Sequence, residues 1–413
     1  MPFPIADTHT HLHFSAFDKD RKKVITRSKE AGVNLQVQIG CDELSSLSAL
    51  ELAKKHDDFY ATLGIHPADV LDCFKEDKLF RCQGFENYKL QNKTFDDLFS
   101  WFEKLTTENP TKIVGFGETG FDLYHQNSPE IYKLQKEVFL RHLELAKKFQ
   151  KPLVIHGRNA NEEMKSFFTE NIKKGNVGGV IHCFCEDLAY GKFFTEEFGF
   201  SLGIGGILTY PNAEKTREAV REIPLEFLVT ETDAPFLVPQ SLRKNEKRNE
   251  STFLPEVIEL IANLKNIPVE KCAKFLFANA QRLFQIGISY GYIGSENHNP
   301  AIHKVAKDWN KIENVSPAGM CTKKSATKEI DKSPKIDILY KTFGNSFPST
   351  IRTPPTISKR TTIQYKRIIN PPVTLKRSSS IAGNICGCMN FIVPGTKKSS
   401  PTPSLTIKRD SSG

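Results

Sequence analysis

The chain has 413 residues, more than one ordinary core needs, yet α/β barrels of 250 residues and above fold as single units. Its nine cysteines form no paired CxxC spacing, and no apolar run approaches the roughly 18 residues of a membrane helix, which argues against a disulfide scaffold, a zinc finger and a membrane span. The net charge of +9 is lopsided: residues 287–413 hold 20 Lys/Arg against 7 Asp/Glu, whereas residues 1–286 hold 37 against 41.

The opening stretch Ile5-Ala6-Asp7-Thr8-His9-Thr10-His11 reads as a strand. His9 and His11 sit two apart, so an extended backbone points both imidazoles the same way, and histidine is the commonest metal ligand. A helix over 18–31 stops at Gly32. Strands and helices then alternate: strand 34–40, helix 45–56, strand 59–64, an inserted loop over 70–92, helix 95–105 and strand 112–117. Next come helix 129–149 with Pro129 in its first turn, strand 153–155, helix 161–172, strand 179–181 and helix 188–198. Strand 200–204, helix 212–222, strand 227–230 and helices 254–264 and 269–284 follow.

Eight strands of continuous apolar character, separated by amphipathic helices, predict a parallel sheet covered by helices, and eight such units predict a closed (β/α)8 TIM-type barrel over 1–286. No GxGxxG follows the first strand, which weakens a dinucleotide-binding alternative. From 287 to 413 the chain is rich in Ser, Thr, Pro, Lys and Asn and loses periodicity, so a disordered basic C-terminal tail is expected, with an anionic or protein partner. Reduced cysteines and a polar N-terminus without a signal-peptide pattern predict an intracellular protein, cytoplasmic or nuclear.

Chemistry in such barrels sits at the C-terminal ends of the strands. Here those ends carry His9 and His11, His66, Glu118, His156 and Arg158, His182, and Asp233, while strand two ends in bare Gly40. His9, His11, Glu118, His156, His182 and Asp233 form a His/carboxylate set without thiolate, suited to Mg2+, Mn2+ or Zn2+ in a hydrolytic site. Six ligands exceed what one catalytic ion needs. Two divalent ions about 3.5–4 Å apart, bridged by Glu118 on the fourth strand, would serve an in-line displacement at a phosphodiester.

These stretches, together with Gly64-Ile65-His66-Pro67, Gly117-Glu118-Thr119-Gly120-Phe121-Asp122, Ile155-His156-Gly157-Arg158, His182-Cys183-Phe184, Glu231-Thr232-Asp233-Ala234-Pro235, Arg248-Asn249-Glu250 and Asn279-Ala280-Gln281-Arg282-Leu283-Phe284, resemble the TatD-type metal-dependent deoxyribonucleases of the amidohydrolase-like superfamily. The resemblance covers about 3–286. It implies that His9, His11, Glu118 and Asp233 hold one ion and Glu118, His156 and His182 the other. It also implies that Asp233 orients or deprotonates the attacking water and that His66 and Arg158 contact the scissile phosphate. Asp122 would buttress a ligand histidine; Phe121 and Tyr124 could stack on a splayed base, with core packing the favoured expectation, and His13 and His125 are expected outside the ligand set. Two positions depart from the family pattern: Phe121 stands where Leu is usual, and Ser251 where Pro is.

The expected activity is hydrolysis of DNA phosphodiesters by an exonuclease favouring single strands or strand ends. An acidic body suits a threaded strand end better than a long duplex grip. Two alternatives stand beside it: the same site cleaving an ester or amide such as an aminoacyl-tRNA, and an inert barrel serving as scaffold for the tail. Turnover retained after deletion of 287–413 would reject the second.

Overall fold

In the computed structural model, residues 3–75, 82, 84–85, 87–125 and 127–287 are described. The tail beyond Gly287, with its expected disorder and charge-driven partner, lies outside the described residues.

Eight strands form one sheet in sequence order: β1 (Ile5–Thr10), β2 (Val33–Gln38), β3 (Phe59–Leu63), β4 (Ile113–Asp122), β5 (Leu153–Arg158), β6 (Gly179–Ile181), β7 (Ser201–Ile204) and β8 (Leu228–Thr230). Every neighbouring pair is parallel. The sheet curls into a nearly closed barrel. Beyond β8 the chain returns to β1, where Asp233 N donates to His9 O at 2.8 Å and His11 N to Ala234 O at 2.8 Å. The expected (β/α)8 barrel is therefore the observed fold.

The helices are α1 (Arg21–Glu30), α2 (Glu43–Lys54), α3 (Phe95–Glu108), α4 (Pro129–Phe149), α5 (Asn161–Asn171), α6 (Leu188–Lys192), α7 (Glu214–Glu222), α8 (Leu254–Lys265) and α9 (Val269–Leu283). Local chemistry sets their starts. Asp42 and Ser45 form a capping box at α2, and Ser128 caps α4 ahead of Pro129. The predicted helix 188–198 is instead the short α6 followed by a π-helical turn over Phe193–Phe198.

Two apolar clusters hold the fold. The smaller joins Ala6, Leu35, Val37, Val114, Val154, Val180 and Val229 to Ala280 of α9 and to Phe284 at its end. Side chains from strands all around the barrel meet only in its interior, so this cluster fills the barrel and α9 plugs its N-terminal end. The larger cluster lies between strands and surrounding helices, and includes a ring stack of Phe139 on Phe167 at 3.9 Å.

One boundary matters for the site. The predicted fourth strand stops at Gly117, whereas β4 continues to Asp122 because Thr119, Gly120, Phe121 and Asp122 pair with Ile155, His156, Gly157 and Arg158. Gly117 and Gly120 permit this: both have φ near +135°, and a Cβ at either would collide with a carbonyl oxygen of β5. Glu118 is thus held inside a strand rather than on a loop.

Candidate active site

The C-terminal ends of β1, β4, β5, β6 and β8 converge. His9 Nε2 lies 3.2 Å from His11 Nε2, 3.4 Å from Glu118 Oε2 and 3.5 Å from Asp233 Oδ1. His11 Nε2 is 3.3 Å from Asp233 Oδ1. The other Glu118 oxygen, Oε1, faces a second group: His156 Nδ1 at 2.9 Å, His182 Nε2 at 3.6 Å and His66 Nε2 at 3.6 Å. The rings of His9 and His182 stack at 3.6 Å, joining the two halves. All six expected ligand residues are thus brought together, with His66 beside them.

Partners behind the cluster aim each ring. His11 Nδ1 lies 3.1 Å from Ile39 O; donation there leaves the Nε2 lone pair facing the cluster. His156 Nε2 meets Asp122 Oδ2 at 3.2 Å, so Asp122 buttresses a histidine as expected. His182 Nδ1 lies 3.0 Å from Glu231 Oε1, which also accepts from Cys183 N at 2.6 Å. Glu231 carries no role among the sequence expectations. Its signal was available: it precedes Asp233 by two, where a strand end would point both carboxylates alike.

Two more contributors were missed. Strand two does not end bare, because Cys41 Sγ lies 3.8 Å from His11 Nδ1 and 3.9 Å from Glu118 Oε2. Burial, with Glu118 beside it, pushes its pKa well up, so it stays a neutral thiol and the ligand set remains His and carboxylate. Fully buried Asp7 accepts from Thr232 Oγ1 at 2.7 Å and from Ser251 Oγ at 2.6 Å. The departure at Ser251 therefore supplies a hydroxyl that ties β1 to the segment after β8.

That segment carries Asp233 in the left-handed region, φ 56°, and Leu237 at 58°. Asn249 holds it: Nδ2 donates to Thr232 O at 2.9 Å and Leu237 O at 3.2 Å, and its N–H to Pro235 O at 2.9 Å. Strain of this kind persists only where the surroundings over-determine it. Arg248 and Glu250, flanking Asn249, close an ion network with Asp20 and Arg27.

His66 is turned by its own backbone. Its Nδ1 accepts from Ala68 N at 3.1 Å, so the neutral ring carries its proton on Nε2, the atom facing Glu118. Burial brings its pKa down to about 3, which keeps it neutral. Arg158 stands apart: its guanidinium lies 3.9 Å over the Tyr124 ring and has no carboxylate partner among the described residues. Phe121 is fully buried with Tyr132, Phe139 and Phe167, as expected. Tyr124 is not in the core; it is 45% exposed. Asp122 Oδ1 accepts the N–H groups of both Tyr124 and His125 at 3.0 Å, which turns the chain outward there.

The electrostatics require positive charge. Burial opposes charge on Glu118, but the surrounding histidines, His66, His182 and His9, hold its pKa well below the usual carboxylate range. Against burial, Glu231 and Glu118 raise His182 to about 10, and Asp122 and Glu118 raise His156 to about 9. Those protons balance the carboxylates. A divalent cation can replace them, since Glu118, Asp233 and the ring lone pairs are all hard or borderline donors. Among the described residues three overlapping sets fit one: His9–His11–Glu118, His66–Glu118–His156 and His9–His182–Glu231, each with its donor atoms within 4.8 Å of one another. His9 Nδ1 is buried without a hydrogen-bond partner among the described residues.

A barrel whose strand ends carry such a cluster defines a metal-dependent hydrolase. Comparison with known proteins agrees: a family model described as TatD related DNase matches residues 6–285. The chain is 35% identical over 280 residues to a Bacillus subtilis protein named uncharacterized metal-dependent hydrolase YabD, covering 68% of this chain and 98% of that one. It is 30% identical over 285 residues to a Pantoea ananatis protein named 3'-5' ssDNA/RNA exonuclease TatD, covering 67% and 98%. Among solved structures, the Escherichia coli TatD homologue YjjV superimposes with a TM-score of 0.57 at 26% identity, covering 68% of this chain and 98% of that one. This chain belongs to the TatD family of metal-dependent hydrolases.

Proposed function

We propose that this chain hydrolyses DNA phosphodiester bonds as an exonuclease acting on single strands, through a centre for two divalent ions bridged by Glu118. The observation that carries the reading is the division of Glu118: Oε2 faces His9 at 3.4 Å, while Oε1 faces His156 at 2.9 Å and His182 at 3.6 Å. One carboxylate serving two donor groups is the economical way to hold a pair of cations. His9, His11, Glu118 and Asp233 would hold one ion, and Glu118, His156 and His182 the other. When bound, Mg2+, Mn2+ or Zn2+ supplies Lewis-acid stabilisation of charge on the phosphoryl oxygens and makes water more acidic.

The chain's own groups do the rest. Asp233 orients the attacking water and accepts its proton; burial opposes its charge, but His11 and the neighbouring histidines keep its pKa low, so it is ionised at neutral pH. Neutral His66 donates from Nε2 to a phosphate oxygen, and Arg158 offers its planar donors to the same group. Water adds to phosphorus, the ester P–O bond breaks, and the leaving oxygen takes a proton. The family match to DNases and the relative named as an exonuclease support DNA and strand ends as the substrate.

The test is Mg2+-dependent degradation of end-labelled single-stranded DNA by the wild type beside Glu118→Ala. The expected result is a loss of roughly a thousandfold or more in the variant. A wild type that binds metal yet leaves DNA intact would overturn the substrate, and a fully active variant would overturn the bridge.

A further inference from the structure

We infer that Phe236 and the Tyr124–Arg158 pair are two stacking walls for unpaired nucleobases, one on each side of the centre. The inference rests on the nuclease reading above and deepens it by assigning the preference for single strands to named residues.

Among the described residues, the large hydrophobic side chains left exposed are Leu71 at 49%, Tyr124 at 45% and Phe236 at 47%. Singly exposed apolar residues carry no message. The message is their placement: each lies on the chain just beyond the C-terminal end of a strand, β3, β4 and β8 respectively, the face that carries the ligand cluster. Phe236 packs edge-on to His11 with ring centroids 6.4 Å apart, on the side of the His9–His11–Asp233 group. Tyr124 follows Asp122, the partner of His156, and so flanks the group served by Glu118 Oε1.

The chemistry of the surroundings identifies the occupant. Arg158 stacks on Tyr124 and keeps its donors uncommitted to any carboxylate among the described residues, so a ring and a cation present themselves together. Exposed Lys244 and Lys247 lie on the same loop as Phe236 and likewise have no carboxylate partner among the described residues. Aromatic faces flanked by free cations match alternating bases and phosphates of a single strand. Bases inside a duplex have both faces covered by their neighbours and offer nothing to such a wall. A phosphodiester at the centre would send one nucleoside toward Phe236 and the other toward Tyr124.

The experiment uses the full chain with Mg2+ and a single strand ending in 2-aminopurine, with bridging-methylene phosphonate linkages that resist hydrolysis. A matched strand carries abasic sites at the end. Stacking in the wild type should quench the 2-aminopurine emission. Phe236→Ala and Tyr124→Ala should each weaken binding of the base-bearing strand roughly tenfold, while Phe236→Tyr and Tyr124→Phe retain it. Binding of the abasic strand should be unchanged throughout. Equal weakening of both strands, or of neither, overturns the stacking walls. Cleavage of ordinary end-labelled DNA by the same wild-type preparation then leaves the nuclease reading standing. A wild type that neither binds nor cleaves any oligonucleotide overturns both.

Discussion

Glu231 Oε1 lies 3.0 Å from His182 Nδ1, and this contact turns Nε2 of the same ring toward Glu118 Oε1 at 3.6 Å. A buried carboxylate behind a candidate ligand fixes the ring's orientation and raises its basicity. Glu231→Gln keeps an acceptor for Cys183 N but removes the charge. Metal affinity should fall roughly 10- to 100-fold, and the metal-free chain should also melt lower at neutral pH, because the charge that holds the His182 proton is gone. Isothermal titration with Mn2+ measures this; undiminished affinity would mean that Glu231 only caps the Cys183 backbone.

Histidine protonation makes the metal-free chain sensitive to alkali. His156 and His182 have pKa values raised to about 9 and about 10 from the ordinary 6.5. A raised value in the folded state means that their stabilisation is full below the unfolded value and is lost as pH climbs through the folded values. Melting temperature in EDTA should therefore decline between neutral pH and about pH 10. Added Mn2+ should counter the decline, since the ion takes over the charge that the protons supplied. Calorimetry across that range gives the answer, and a flat profile in EDTA would show that the two rings do not carry the protons assigned to them.

Asn249 clamps the segment bearing Asp233 and Phe236 through two amide hydrogen bonds. Asn249→Ala removes both donors and leaves two carbonyls short of a partner. The expected cost is about 1–3 kcal/mol in denaturant unfolding. Because Asp233 sits at φ 56°, relaxation of the segment should also lower kcat more than it raises KM. A stability loss without any change in kcat would separate the clamp from the chemistry.

The inventory of the site was legible in the linear chain because strand ends in a parallel barrel are easily found: apolar runs stop, and His9, His11, His156, His182 and Asp233 follow at once. Glu118 was recognised although the end of its strand was misjudged, since two glycines read as punctuation when in fact they let β4 lie close against β5. Tyr124 was misplaced because composition and spacing do not reveal that Asp122 would turn the next two residues outward.

The sequence alone therefore determined the barrel and the six converging side chains, since period, strand count and residue type are local properties. Tertiary structure decided what stands behind them. That Glu118 turns one oxygen to each of two groups, that Glu231 supports His182, that Cys41 reaches the centre, that Ser251 braces Asp7 of β1, and that Asn249 holds the Asp233 segment in place all depend on contacts made only when the chain folds. The physical reason is that a hydrogen bond needs its partners within about 3 Å, and only the folded barrel brings residues from 17 to 244 positions apart into such contact.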